Sequence, residues 1–122
     1  MTLQKYYYQS LMMEEYERRF MRLFIFFDLP TNTKKQRKEA TKFRNMLIKE
    51  AFMMIQYSVY VRVCKGQEMV NKYISKLEEN LPSDGNIRAL QITDKQYERM
   101  TLLVGEETKN EQCIGMKQLL LF

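Results

Sequence analysis

The first chemical signal in the chain is a local concentration of cations. Residues 33–51 hold Lys34, Lys35, Arg37, Lys38, Lys42, Arg44 and Lys49 against only Glu39 and Glu50, an excess of +5 that equals the net charge of the whole chain. A confined excess points to a polyanionic partner more strongly than a diffuse one. Helix faces that are charged for solubility usually alternate in sign, with acids at i,i+4. Two acids are a small offset here, so phosphate contact is favoured over plain solvation for Lys34, Lys35, Arg37, Lys38, Lys42 and Lys49. Such contacts carry affinity and register but read no sequence. Arg37 and Arg44 stand seven residues apart at the border of the apolar stripe and have a second reading, as supports of the core edge or of a dimer contact.

Other chemistries are narrower. Asp28 closes an apolar run, and by itself it reads as a turn former that hydrogen-bonds nearby amides ahead of a helix. One carboxylate per chain is too few for a two-metal phosphodiesterase; a two-fold axis near Asp28 would bring in a second. The chain has no histidine, which excludes imidazole-built zinc sites and Ser-His or Cys-His catalysis. Cys64 and Cys113 show no metal-ligand spacing and read as a reduced pair. Ser58, Tyr60 and Arg62 share one strand face. An ordinary half-exposed sheet surface is favoured there over a stacking platform for single-stranded bases, because Tyr60 is its only aromatic.

These residues must be positioned by a small set of elements. Residues 21–27 (MRLFIFF) form a nearly continuous apolar run, read as a buried central strand, and Pro30 biases Leu29 away from helix. Residues 33–51 form a helix with a capping box at Thr33 and Gln36. Its apolar face is Ala40, Phe43, Leu47 and Ala51. From Lys34 to Lys49 it spans about 22 Å, enough to follow several phosphates of a duplex. Residues 53–64 alternate as a long strand, with Ile55, Tyr57, Val59, Val61 and Val63 on one face and Gln56, Ser58, Tyr60 and Arg62 on the other. Residues 67–79 form a second helix facing inward through Val70, Tyr73, Ile74 and Leu77. A third strand at 87–92 leads to a helical turn at 94–99, capped by Thr93 and Gln96. A fourth short strand follows at 100–104, then a polar linker at 106–112 and an apolar strand at 116–122.

The order is a variant of βαββαβ, provided a bend splits residues 53–64 into a hairpin. The expected fold is an α+β, ferredoxin-like βαββαβ sandwich with an additional C-terminal strand. Residues 1–20 read as an N-terminal extension and 21–104 as the ferredoxin-like domain. Residues 105–122 read as a linker with a C-terminal partner-docking strand, in which Leu119, Leu120, Leu121 and Phe122 seek another chain because an apolar strand with an open edge usually does. At 122 residues there is room for one domain. Glu14, Glu15, Glu17, Arg18 and Arg19 interrupt any apolar leader, and no run is long enough to span a membrane, so a cytoplasmic protein is expected.

Four segments then coincide in order: LFIFFDLPT around Asp28, KFRNMLIKEAF at 42–52, IQYSVYVRVC at 55–64 and GNIRALQITDKQYERM at 85–100. Together they resemble the small subunit of the CRISPR spacer-acquisition complex, CRISPR-associated protein two, in its type II-A form, over roughly residues 16–104. The resemblance implies a ferredoxin-like homodimer that bridges dimers of the CRISPR integrase subunit and binds a double-stranded DNA protospacer. It also implies a family described as magnesium-dependent endonucleases, with Asp28 as the matching metal ligand and catalytic residue and Mg2+ as the cofactor. The expected function is a dimeric scaffold in spacer acquisition. The alternative is a magnesium-dependent endonuclease acting on RNA or DNA through Asp28 at the dimer axis.

Overall fold

The computed structural model describes residues 20–106. Its elements run β1 (Phe20–Asp28), α1 (Lys34–Lys49), β2 (Met53–Gln56), β3 (Val59–Lys65), α2 (Gly66–Glu78), β4 (Asn86–Thr93) and α3 (Asp94–Glu98). The four strands make one sheet in the order β2-β3-β1-β4, and every pairing is antiparallel. With its α1 and α2 crossovers, this is the expected ferredoxin-like α+β fold.

Strand β1 lies between β3 and β4, which explains why its sequence is apolar almost throughout. Leu23, Ile25 and Phe27 face the helices and pack with Phe43 and Leu47 of α1 and Val70, Tyr73 and Leu77 of α2. Phe27 meets Phe43 edge-on at 5.4 Å between ring centroids. The opposite parity, Arg22, Phe24 and Phe26, looks to the outer face of the sheet. There the short helix α3 folds over: Tyr97 lies 5.8 Å from Phe24, and Asp94 accepts a 2.7 Å hydrogen bond from Arg22 Nε. Both members of that ion pair are buried. Removing either one would strand a charge in a low-dielectric site.

Both capping boxes form as expected. Thr33 Oγ1 accepts from Gln36 N at 3.1 Å while Gln36 Oε1 accepts from Thr33 N, and Thr93 with Gln96 repeats the arrangement at α3. The first helix is shorter than residues 33–51. It ends at Lys49, and Ala51 adopts a left-handed φ of 65° and is exposed, so Ala51 is not part of the apolar face. The terminating contact is Arg62, whose Nε donates to the Glu50 carbonyl at 2.8 Å.

Residues 53–64 are not one strand. They fold into the β2–β3 hairpin through a turn at Tyr57 and Ser58, with Ser58 at φ 61° and a register shift between Met54 and Gln56. The turn and the shift undo the continuous alternation. Tyr57 leaves the valine face and is exposed, whereas Tyr60 points at the helices and is buried. The strand expected at 100–104 does not form. Those residues continue irregularly after α3, with Leu103 and Val104 exposed, because α3 carries the chain over the outer face of β1 and not alongside a strand of its own sheet. The apolar segment at 116–122, with Leu119 to Phe122, lies outside the described residues.

Candidate nucleic-acid interface

Helix α1 presents its cations as a row. Ala40, Phe43 and Leu47 are buried against the sheet, which turns Lys34, Lys35, Lys38, Lys42 and Lys49 to solvent. The amphipathic period thus determines which face is charged. Arg37 is also exposed, but one of its Nη atoms donates to the carbonyls of Thr31 and Asn32 at 3.1 and 3.2 Å, clamping the loop that leads from Asp28 into the helix. Arg44 is half-buried. Its guanidinium carbon lies 5.8 Å from the Phe27 ring and 5.5 Å from the Tyr57 ring, and Nη2 donates to Tyr57 Oη at 3.3 Å.

Of the acids in this helix, Glu39 is committed to structure. Its carboxylate accepts from the Ser83 hydroxyl at 2.8 Å and from the Ser83 amide at 3.2 Å. These bonds hold its pKa below the ordinary value, helped by Lys35 and Lys42 and opposed by desolvation. The bond also ties α1 to the loop before β4. Glu50 pairs with Lys76 of α2 at 3.1 Å. Glu50 is thus paired off the row, while Glu39 is fixed in place by Ser83 and keeps its charge beside Lys35 and Lys42, which leaves the row with one local acid against five lysines.

Asp28 ends β1 opposite Asn86 and is exposed. Its backbone is crowded by Gly85, where an added Cβ would come within 2.7 Å of the Asp28 carbonyl oxygen. Among the described residues no three His, Cys, Asp or Glu side chains gather as a metal site. A magnesium ion wants several oxygens in near-octahedral geometry. The described residues of one protomer do not assemble that set around Asp28. Strand alternation gives Asp28 the parity of Phe24 and Phe26, which places it on the outer face of the sheet.

The strand face of Ser58, Tyr60 and Arg62 is not a stacking platform. Tyr60 stacks on Phe27 at 5.6 Å inside the core, and Arg62 is spent on the Glu50 and Val63 carbonyls and the Tyr73 hydroxyl. Cys64 is buried, and desolvation pushes its thiol pKa up, which suits an inert core residue. Three structural features escaped the sequence reading: the Arg22–Asp94 pair, the Glu39–Ser83 link and the exposure of Tyr57. For the first there was a signal, since a charge within a buried apolar strand demands a partner. No helix among the described residues is long and apolar enough to cross a membrane.

Known proteins agree with this architecture. Residues 21–100 match the family described as CRISPR associated protein Cas2. A Campylobacter jejuni protein named CRISPR-associated endoribonuclease Cas2 is 46% identical over 106 residues, covering 87% of this chain and 74% of that one. A protein of the same name from Ligilactobacillus salivarius is 45% identical over 101 residues, covering 83% of this chain and all of that one. A solved structure described as a crystal structure of cas2 superposes with a TM-score of 0.52 at 14% identity, covering 74% of this chain and 92% of the other, which speaks for the fold alone. With the sheet order, the helix pair and these matches in hand, the chain belongs to the Cas2 family of CRISPR-associated proteins.

Proposed function

We propose that this chain is the dimeric scaffold subunit of the CRISPR adaptation complex, working in the cytoplasm. It grips the protospacer duplex by charge and bridges integrase dimers during spacer acquisition. The observation that carries the reading is the exposed lysine row of α1, which outnumbers its one local acid, Glu39, while Glu50 is paired with Lys76. Lys34, Lys35, Lys38, Lys42 and Lys49 are the phosphate contacts, and Arg37 contributes through the loop it clamps. Exposed Phe26 and Leu90, on facing strands of the outer sheet surface, support a homodimer through that face. The domain runs to residue 104 from Phe20, the first residue of β1, so the preceding extension is 1–19 and not 1–20. Residues 105–122 dock a partner through Leu119, Leu120, Leu121 and Phe122.

Duplex affinity measured against salt tests the charge contact. The expected result is a steep log–log loss of affinity, with Lys38→Glu and Lys42→Glu weakening all sequences alike and lowering the slope by about one per lysine. Unchanged affinity and slope in the double variant would rule the helix out.

A second reading is favoured by the name endoribonuclease carried by the relatives. In it Asp28 is the catalytic carboxylate and ligand of a Mg2+ ion. Because the described residues of one protomer gather no three His, Cys, Asp or Glu side chains there, the remaining ligands come from the partner subunit across the outer face.

A further inference from the structure

Among the described residues Tyr57 is the most exposed aromatic, at 78%. Its place is unusual for a side chain of that size. It occupies the tight β2–β3 turn beside Ser58, whose left-handed φ of 61° is uncommon for a residue other than glycine. The Ser58 carbonyl accepts from Phe27 N at 3.1 Å, so the turn abuts the end of β1 where Asp28 emerges. The ring does not hang free. Arg44 donates to its hydroxyl and sets its guanidinium within reach of both the Tyr57 and Phe27 rings. Arg44 in turn lies on α1 seven residues after exposed Arg37, on the border between the buried face of the helix and its cationic face.

An exposed aromatic held by a cation at the margin of a basic surface suits an unpaired nucleobase. Proteins that bind single strands pair a positively charged track for the backbone with aromatic side chains on which bases stack. A ring already fixed by its neighbours loses little freedom on binding. We propose that Tyr57 is a stacking residue for an unpaired base of a nucleic acid whose backbone follows α1, with Arg44 as the positioning residue that holds the ring. The inference rests on the polyanion-binding reading of α1 and adds a contact to the base itself, which a phosphate-gripping helix lacks.

The test uses the full chain with Tyr57→Ala, Tyr57→Phe and Tyr57→Trp. The probes are a labelled single-stranded oligoribonucleotide, its DNA counterpart and a blunt DNA duplex of the same sequence. Anisotropy reads affinity, and quenching of 2-aminopurine in the single strands reads stacking. Tyr57→Ala is expected to lose about tenfold in single-strand affinity, together with the quenching. Tyr57→Phe and Tyr57→Trp should keep both, and duplex affinity should not change. Loss on RNA alone or on DNA alone identifies which strand the residue serves and supports the inference. Unchanged single-strand affinity and quenching in Tyr57→Ala overturns it and leaves the lysine reading standing. Equal losses in Tyr57→Ala and Tyr57→Trp with an altered oligomeric state on gel filtration also overturn it, by making the residue an interface contact. Failure of the wild-type chain to bind any of the probes overturns both readings.

Discussion

At the scale of single residues, the environment of Asp28 depends on an absent side chain. Gly85 stands at φ 104°, and a Cβ there would meet the Asp28 carbonyl at 2.7 Å and Leu29 Cδ2 at 2.8 Å. Both the backbone conformation and the close approach demand glycine. Gly85→Ala should therefore cost about 1–3 kcal/mol of stability, read by chemical denaturation, and it should displace the Asp28 end of β1. Duplex affinity should hold, because the lysine row lies on another element. A variant as stable as the wild type would show that the contact is not tight. Asp28 and the lysines were legible as candidates in the chain because their types and spacing are local. Tyr57 was not: continuous alternation assigned it to one face with Ile55 and the valines, and only the turn at Ser58 released it.

At the scale of elements, α1 is held at both ends by contacts from distant sequence. Its C-terminal carbonyl is capped by Arg62, and its first half is pinned by Glu39 to Ser83 of the loop before β4. The latter bond makes a pH prediction. The folded-state pKa of Glu39 is lowered, so its contribution to stability is fully present above the unfolded value of about 4.3. It is lost as pH falls through the lowered folded value. Melting temperatures of the wild type and Glu39→Gln should thus differ most near neutral pH and converge only once the pH has fallen below the lowered folded-state value. A difference that stays constant down to the acid limit would show that the carboxylate charge is not what Ser83 holds. The capping boxes at Thr33 and Thr93 were readable in advance because a cap needs only residues three apart. The hairpin between β2 and β3 was readable only as a requirement of the topology, since nothing at Tyr57 and Ser58 announces a turn by composition.

At the scale of the whole molecule, the two functional readings separate on Asp28. If the chain is a scaffold, Asp28→Asn should leave spacer integration intact in a reconstituted complex while abolishing any cleavage of single-stranded RNA. Integration that collapses together with cleavage would sink the scaffold reading, and cleavage that survives the substitution would remove Asp28 from the chemistry. The dimer is part of this test. Asp28 shares the outer face with Phe26, so a substitution at exposed Phe26 that leaves the chain monomeric is expected to abolish cleavage as completely as Asp28→Asn does. Gel filtration beside the cleavage assay checks it.

The chain's own pattern determined the α+β class, the capped basic helix and the buried run of β1, because each is a local matter of periodicity, capping and net charge. Tertiary structure alone decided which residues are spent and which are free. Glu50 is paired off the lysine face by Lys76 at a separation of 26, Glu39 is fixed by Ser83 at a separation of 44, and Arg22 is consumed by Asp94 at a separation of 72. Tyr60 is taken into the core while Tyr57 is left outside it. Those outcomes depend on which strands lie side by side, and the order β2-β3-β1-β4 is settled by packing of the whole sheet against two helices, which no short window of sequence contains.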